Sequence, residues 1–87
     1  MDLSAFESHD VQLHLPLLII KGSKGLLACG YLNVETFDKT GEAAAIVTGV
    51  KTFDNMAKAA VAKVSRAAEE LGLRVGMTGA QALELIR

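Results

Sequence analysis

Two stretches of this chain, Leu17-Leu18-Ile19-Ile20 and Gly25 to Leu32, are apolar at nearly every position, and only Lys21-Gly22-Ser23-Lys24-Gly25 separates them. Apolar runs joined by so short a glycine-containing segment read as two strands of a hairpin. Alternation along the second run puts Leu27, Cys29 and Tyr31 on one face and Leu26, Ala28, Gly30 and Leu32 on the other. Both faces are apolar, so both must be covered. That is a severe demand on 87 residues, because a domain of this size buries only about 60–65% of the surface its unfolded chain exposes. Covering part of it with a second subunit is a natural solution, and the pattern predicts a homo-oligomer.

The rest of the chain supplies the other layer. Met1 to Asp10 is polar, without a clear period, and reads as a loose N-terminal arm or a partial edge strand. Val11, Leu13 and Leu15 then alternate with Gln12 and His14, and Pro16 marks an edge or a bend. Beyond the hairpin, Asn33 is placed to cap a short helix over Val34 to Thr40, with Gly41 to end it. Ala43 to Val50 reads as a third strand with one nearly flat face, Ala43-Ala45-Val47-Gly49.

From Thr52 or Asp54 onward two readings stand. Ala57, Val61, Val64, Ala68 and Leu71 trace the stripe of one helix running to Gly72. Alternatively, Ser65 caps a fresh helix from Arg66 to Leu71 and leaves Ala60 to Val64 as a short strand or linker. Alanine fits both. Thr78 with Gln81 makes a capping box for a closing helix whose inward side carries Leu83 and Ile86. The expected fold class is α+β, one domain over 1–87. It has a small mixed or antiparallel sheet, built from the hairpin and one or two further strands, with short helices packed on it.

Composition narrows the function. Nine Lys and Arg against ten Asp and Glu give a net charge of −1, with no long run of either sign. A nucleic-acid surface would need a basic stripe, and a single-strand binder would add stacking aromatics. Phe6, Tyr31, Phe37 and Phe53 are few and scattered. No apolar run approaches the roughly 20 residues that span a bilayer. Met1-Asp2-Leu3-Ser4 lacks the cationic start of a secretory leader, and one cysteine makes no internal disulfide. The cytoplasm is the expected compartment.

Several residues are candidates for chemistry. Cys29 would be a nucleophile as thiolate, which needs a cation, a base or a helix N-terminus nearby. A hairpin turning about residue 23 would set His14 opposite about position 32, within a few residues of Cys29. The bland alternative is a core cysteine, the commoner fate of a free thiol. Thr48, Gly49 and Lys51 stand where a strand ends and a helix begins, a place ligands favour. Lys51 is placed there to hold a carboxylate or phosphate, or is a solvated turn lysine. Gly76 and Gly79 flank Met77-Thr78, and such a turn leaves helix N-terminal amides open to an anion unless Thr78 satisfies them itself. The Lys21–Gly25 turn lacks phosphate-loop spacing and reads as a plain hairpin turn. His9 and His14, with Glu7 and Asp10, have metal-compatible chemistry, but their odd spacing sets the two histidines on opposite faces of a strand. No metal site and no cofactor is expected.

Four stretches, taken in order, are similar to a known family: Lys24-Gly25-Leu26-Leu27-Ala28-Cys29-Gly30-Tyr31-Leu32-Asn33, Ala45-Ile46-Val47-Thr48-Gly49-Val50-Lys51-Thr52-Phe53-Asp54, Val64-Ser65 through Ala68 to Gly72, and Gly76-Met77-Thr78-Gly79 with Ala82-Leu83. From about Leu15 to Arg87 the chain resembles the YunC-like family of small bacterial and archaeal proteins of unknown function. The resemblance implies a small α+β domain with a mixed sheet. It favours the broken helix, because relatives tend to carry a proline near the position of Ala60. It also sets Cys29, Gly30, Gly49, Gly76 and Gly79 on family motif positions, and it supplies no reaction. The usual N-terminal strand of the family is altered here over Met1 to His14.

The resulting expectation is a homo-oligomeric domain that binds a small ligand or a protein partner, a small anion being one candidate, at Gly30, Thr48, Gly49, Lys51, Gly76, Thr78 and Gly79. The alternative is a thiol-dependent enzyme or redox sensor acting through Cys29. Neither nucleic acid nor a membrane is an expected partner.

Overall fold

Leu17 to Ile20 and Leu26 to Ala28 pair as the apolar pattern predicts, and the chain lays further strands on both sides of them. The computed structural model describes residues 3–87. In chain order the elements are β1 (Glu7–Gln12), β2 (Pro16–Lys21), β3 (Leu26–Ala28), α1 (Val34–Thr40), β4 (Ala44–Ile46), α2 (Phe53–Lys58), β5 (Lys63–Val64), α3 (Arg66–Glu70) and α4 (Gly79–Ile86). The five strands lie side by side in the order in which they occur. All neighbours are antiparallel except β3 and β4, which are parallel. A parallel pair needs a crossover, and α1 provides it. The fold is α+β with a mixed sheet, as expected.

Three local expectations are corrected. In the stretch read as a loose arm, Met1 and Asp2 lie outside the described residues, and Glu7 to Asp10 belong to β1, paired with β2 from Glu7↔Lys21 to Gln12↔Pro16. Every residue of β1 is exposed, and no apolar alternation marks it before Val11. The strands expected over Gly25–Leu32 and Ala43–Val50 are shorter, because Cys29 to Leu32 turns back on itself and the chain leaves the sheet after Val47, whose amide still donates to Ala28 O at 2.9 Å.

The stripe from Ala57 to Leu71 is not one helix. It is α2, an extended stretch with β5, and α3. The amide of Val61 donates to Met77 O at 2.7 Å, Ala62 donates to Ile46 O at 2.8 Å, and Ser65 donates to Ala44 O at 2.9 Å. A continuous helix would forgo these bonds, so tertiary pairing overrides alanine's weak helical preference. Ser65 then caps α3.

One face of the sheet carries Leu18, Ile20, Leu27, Ala45 and Val47, which pack with Met56 of α2 and with Ala82, Leu83 and Ile86 of α4. The opposite face carries the row Ile19, Ala28 and Ile46. Here β4 is buried at every position and β3 at Leu27 and Ala28. A single chain therefore covers its own central strands, so the apolar surface available for assembly lies elsewhere. Among the described residues Val11, Leu13, Leu15, Tyr31 and Val75 are the large hydrophobics left 46–62% exposed.

Candidate functional site

The parallel pair sets the carboxyl ends of β3 and β4 side by side, where open α/β sheets bind ligands. From β3 the chain turns at once, with Leu32 N donating to Cys29 O at 3.2 Å. From β4 it runs through Thr48 and Gly49, whose φ of 70° favours glycine, to the N-cap of α2 at Thr52. Thr52 accepts from Asn55 N at 3.0 Å, and Asn55 Oδ1 accepts from Lys51 N at 3.2 Å, which fixes the backbone at Lys51.

The two exits part around a ridge made by Gly30 and Tyr31, with a cleft on each side. One, of about 330 Å³, has walls from Leu15, Pro16, Cys29 and Val50, with Gly49 and Lys51 at its rim. The other, of about 320 Å³, lies against the start of α1 and meets Ile46, Thr48 and Lys63. The ridge is braced: the Tyr31 hydroxyl accepts from Leu15 N at 3.1 Å, tying it to the β1–β2 hairpin.

Of the candidate residues, Cys29, Gly30, Thr48, Gly49 and Lys51 are drawn together around this ridge. Gly76, Thr78 and Gly79 are not. Thr78 Oγ1 accepts from Gln81 N at 3.2 Å while Gln81 Oε1 accepts from Thr78 N at 2.9 Å, and Gly79 N donates to Ala59 O at 2.9 Å. The amides of Thr78, Gly79 and Gln81 are thus already engaged within the protein. A Cβ on Gly79 would overlap the carbonyl of Met56, so this glycine lets α2 and α4 touch.

Cys29 is 4% exposed. Its sulfur accepts from Leu18 N at 3.4 Å and donates to Pro16 O at 3.9 Å. The expected neighbour His14 lies in the turn between β1 and β2, where Gln12 faces Pro16, and is not among the partners of the thiol.

The Lys21–Gly25 turn holds a structural surprise. Lys24 N donates to Ile86 O at 3.0 Å and Ser23 Oγ donates to Arg87 O at 2.8 Å. It clasps the C-terminal end of α4, whose last carbonyls have no partner within the helix. No local signal could reveal this, since Ser23 and Arg87 are 64 positions apart.

Among the described residues the ion pairs are Glu7–His9 at 2.6 Å and Glu84–Arg87 at 3.7 Å, so neither Lys51 nor Lys63 is ion-paired. His9 beside it holds the Glu7 carboxyl below its ordinary range, first by hydrogen bonding and then by charge. Among the described residues no cluster of three His, Cys, Asp or Glu could hold a metal ion, and no helix is long and apolar enough to cross a membrane. Sequence reasoning does not reach Leu15, Pro16 and Lys63, which strand pairing brings to the clefts, and it passes over Tyr31 although that residue directly follows Gly30.

A mixed sheet with a cleft on each side of the ridge at the ends of its parallel pair defines a small α+β module. Residues 28–86 match the family model described as Domain of unknown function (DUF1805), and the chain belongs to that family. It is 36% identical over 70 residues to Uncharacterized protein YunC of Bacillus subtilis (strain 168), covering 76% of this chain and 69% of that one. It is similar to the crystal structure of a Protein of Unknown Function, TA1206 from Thermoplasma acidophilum, with a TM-score of 0.83 and 34% identity over 94% of this chain and 93% of the other. The YunC-like resemblance is thereby shown, and these relatives share the fold without naming a reaction.

Proposed function

We propose that the domain is a cytoplasmic binding module, working as a homo-oligomer, whose ligand is a small anion with an apolar body. The observation that carries this reading is the cleft of about 330 Å³ in which apolar walls from Leu15, Pro16 and Val50 meet the unpaired cation of Lys51. Ligand sites are mostly apolar with a few polar groups that fix orientation, and this cleft falls at the small end of their usual roughly 300–1,000 Å³. A lysine offers a point charge to a carboxylate or phosphate rather than a two-pronged clamp. Gly30 and Gly49 supply backbone at the rim, and Thr48 supplies a hydroxyl across the ridge. Gly76, Thr78 and Gly79 have no part in it.

The thiol alternative has less support, because the partners of the Cys29 sulfur are two backbone groups. In this reading Cys29 is a wall of the cleft and not a nucleophile. Titration with benzoate and with phenyl phosphate, followed by backbone amide shifts, tests the proposal. Saturable shifts at Gly30, Tyr31, Gly49 and Lys51 that weaken at least fivefold in Lys51→Ala support it. Flat shifts with both probes rule out this ligand class.

A further inference from the structure

We propose that a second copy of this chain docks on the free edge of β1, the two β1 strands pairing antiparallel across a two-fold axis. The proposal rests on the homo-oligomer reading above and assigns its interface. Among the described residues β2 pairs with one side of β1 and no strand pairs with the other. Solitary proteins guard such an edge with charged side chains (lysine above all), proline, a bulge, short length or a covering segment. β1 has six residues, Glu-Ser-His-Asp-Val-Gln, without lysine or proline, and its two carboxylates, Glu7 and Asp10, are each engaged by a neighbour on the strand. Its register to β2 runs unbroken from Glu7 to Gln12, and all its residues are exposed.

Its charged side chains close along the strand. His9 Nε2 lies 2.6 Å from Glu7 Oε2, and Gln12 Nε2 donates to Asp10 Oδ1 at 2.6 Å. Both carboxylates are thus held along the strand, Glu7 by His9 and Asp10 by the neutral Gln12 amide, and Asp10 keeps a charge that a pairing strand must accommodate.

Charge pattern selects a second copy as the occupant. A two-fold axis normal to the sheet sets one residue opposite itself. Centred on Asp10, it would force two carboxylates together, which is destabilising. Centred on His9, it opposes Glu7 to the second copy's Val11 and Ser8 to the second copy's Asp10, a hydroxyl donor against a carboxylate. Each His9 then arrives with its own Glu7 beside it. The strand thus fits its own reverse in the His9 register. A second observation points to the same place: Val11, Leu13 and Leu15, each 47–52% exposed, lie along β1 and its turn, and Tyr31 is bonded to Leu15.

Light scattering of the full chain from 1 to 100 µM, on wild type, Ser8→Asp and Ser8→Lys, tests this. The wild type is expected to be dimeric at the upper end. Ser8→Asp faces a carboxylate twice per dimer and should raise the dissociation constant at least tenfold. Ser8→Lys faces the same carboxylates with opposite charge and should leave it unchanged or lower. Circular dichroism confirms that each variant folds, and deuterium exchange of the β1 amides should slow as concentration rises. A wild type that stays monomeric at 100 µM overturns the oligomer reading itself. A wild-type oligomer that neither variant moves, with β1 exchange independent of concentration, overturns the β1 interface alone.

Discussion

The sulfur of Cys29 stands in for a backbone carbonyl opposite Leu18. Cys29 N donates to Leu18 O at 3.1 Å, as in an ordinary antiparallel ladder. The return bond from Leu18 N goes to Cys29 Sγ at 3.4 Å, because the Cys29 carbonyl has turned away to accept from Leu32 N. One residue both ends β3 and keeps a fully buried amide of β2 satisfied.

Removing that acceptor should therefore be felt. Cys29→Ala is expected to cost about 1–3 kcal/mol, the penalty of leaving a buried donor unpaired. Cys29→Ser keeps an acceptor and should cost less. Urea denaturation of both variants measures the difference, and equal midpoints would show that the sulfur contact does not matter.

Ser65 is the buried polar residue that joins two elements. Its Oγ donates to Glu42 O at 2.8 Å and accepts from Ala44 N at 2.9 Å and Ala68 N at 3.3 Å. Ser65→Ala strips the cap of α3 and an acceptor at the start of β4 together. A loss of about 2–4 kcal/mol is expected, combining an unsatisfied group with a lost cap. A loss below 0.5 kcal/mol (about the scatter of such fits) would mean that other acceptors take over.

Gly79→Ala drives a Cβ into the carbonyl of Met56 and must push α2 and α4 apart. Overpacking of this kind costs about 1–3 kcal/mol. Thermal melts against wild type test it, and an unchanged midpoint would show that the helices part freely.

Leu83 is 5% exposed and packs into the core from α4. Leu83→Ala is expected to cost about 2–5 kcal/mol. A shift too small to measure by calorimetry would mean that α4 is not firmly docked.

The Glu7 carboxyl should titrate below its ordinary range in the folded chain, because His9 hydrogen-bonds to it and adds charge. A depressed folded value means that the stabilising contribution is present above the unfolded pKa and fades as pH falls through the folded one. Glu7 is fully exposed, so the effect on unfolding is small and the titration itself is the readout. Side-chain carbon shifts of Glu7 should show a midpoint that rises in His9→Ala. No rise would remove His9 as the cause.

Local signals were legible where they were self-contained. The apolar hairpin, the helix from Asn33 to Gly41 and the Thr78–Gln81 box each depend on residues close in sequence, and each stands in the structure. β1 was hard to read because both its faces are wet. The break between α2 and α3 was undecided because its causes, Ile46 and Met77, lie elsewhere in the chain. For the site, the exits of two strands were visible as Cys29-Gly30 and Thr48 to Lys51. Their walls at Leu15 and Pro16 depended on a register that no pattern reports. The Gly76–Gly79 turn was not legible as a site or as a plain connection, because a glycine turn before a helix looks the same whether its amides are free or already bonded.

The sheet's left-to-right order repeats the order of synthesis. Each new strand meets a neighbour that emerged just before it, so the sheet can grow progressively with modest loop-closure entropy. By contrast α4 reaches back to β3 and to the Ser23–Lys24 turn, so docking it closes a far longer loop than any of the strand pairings does.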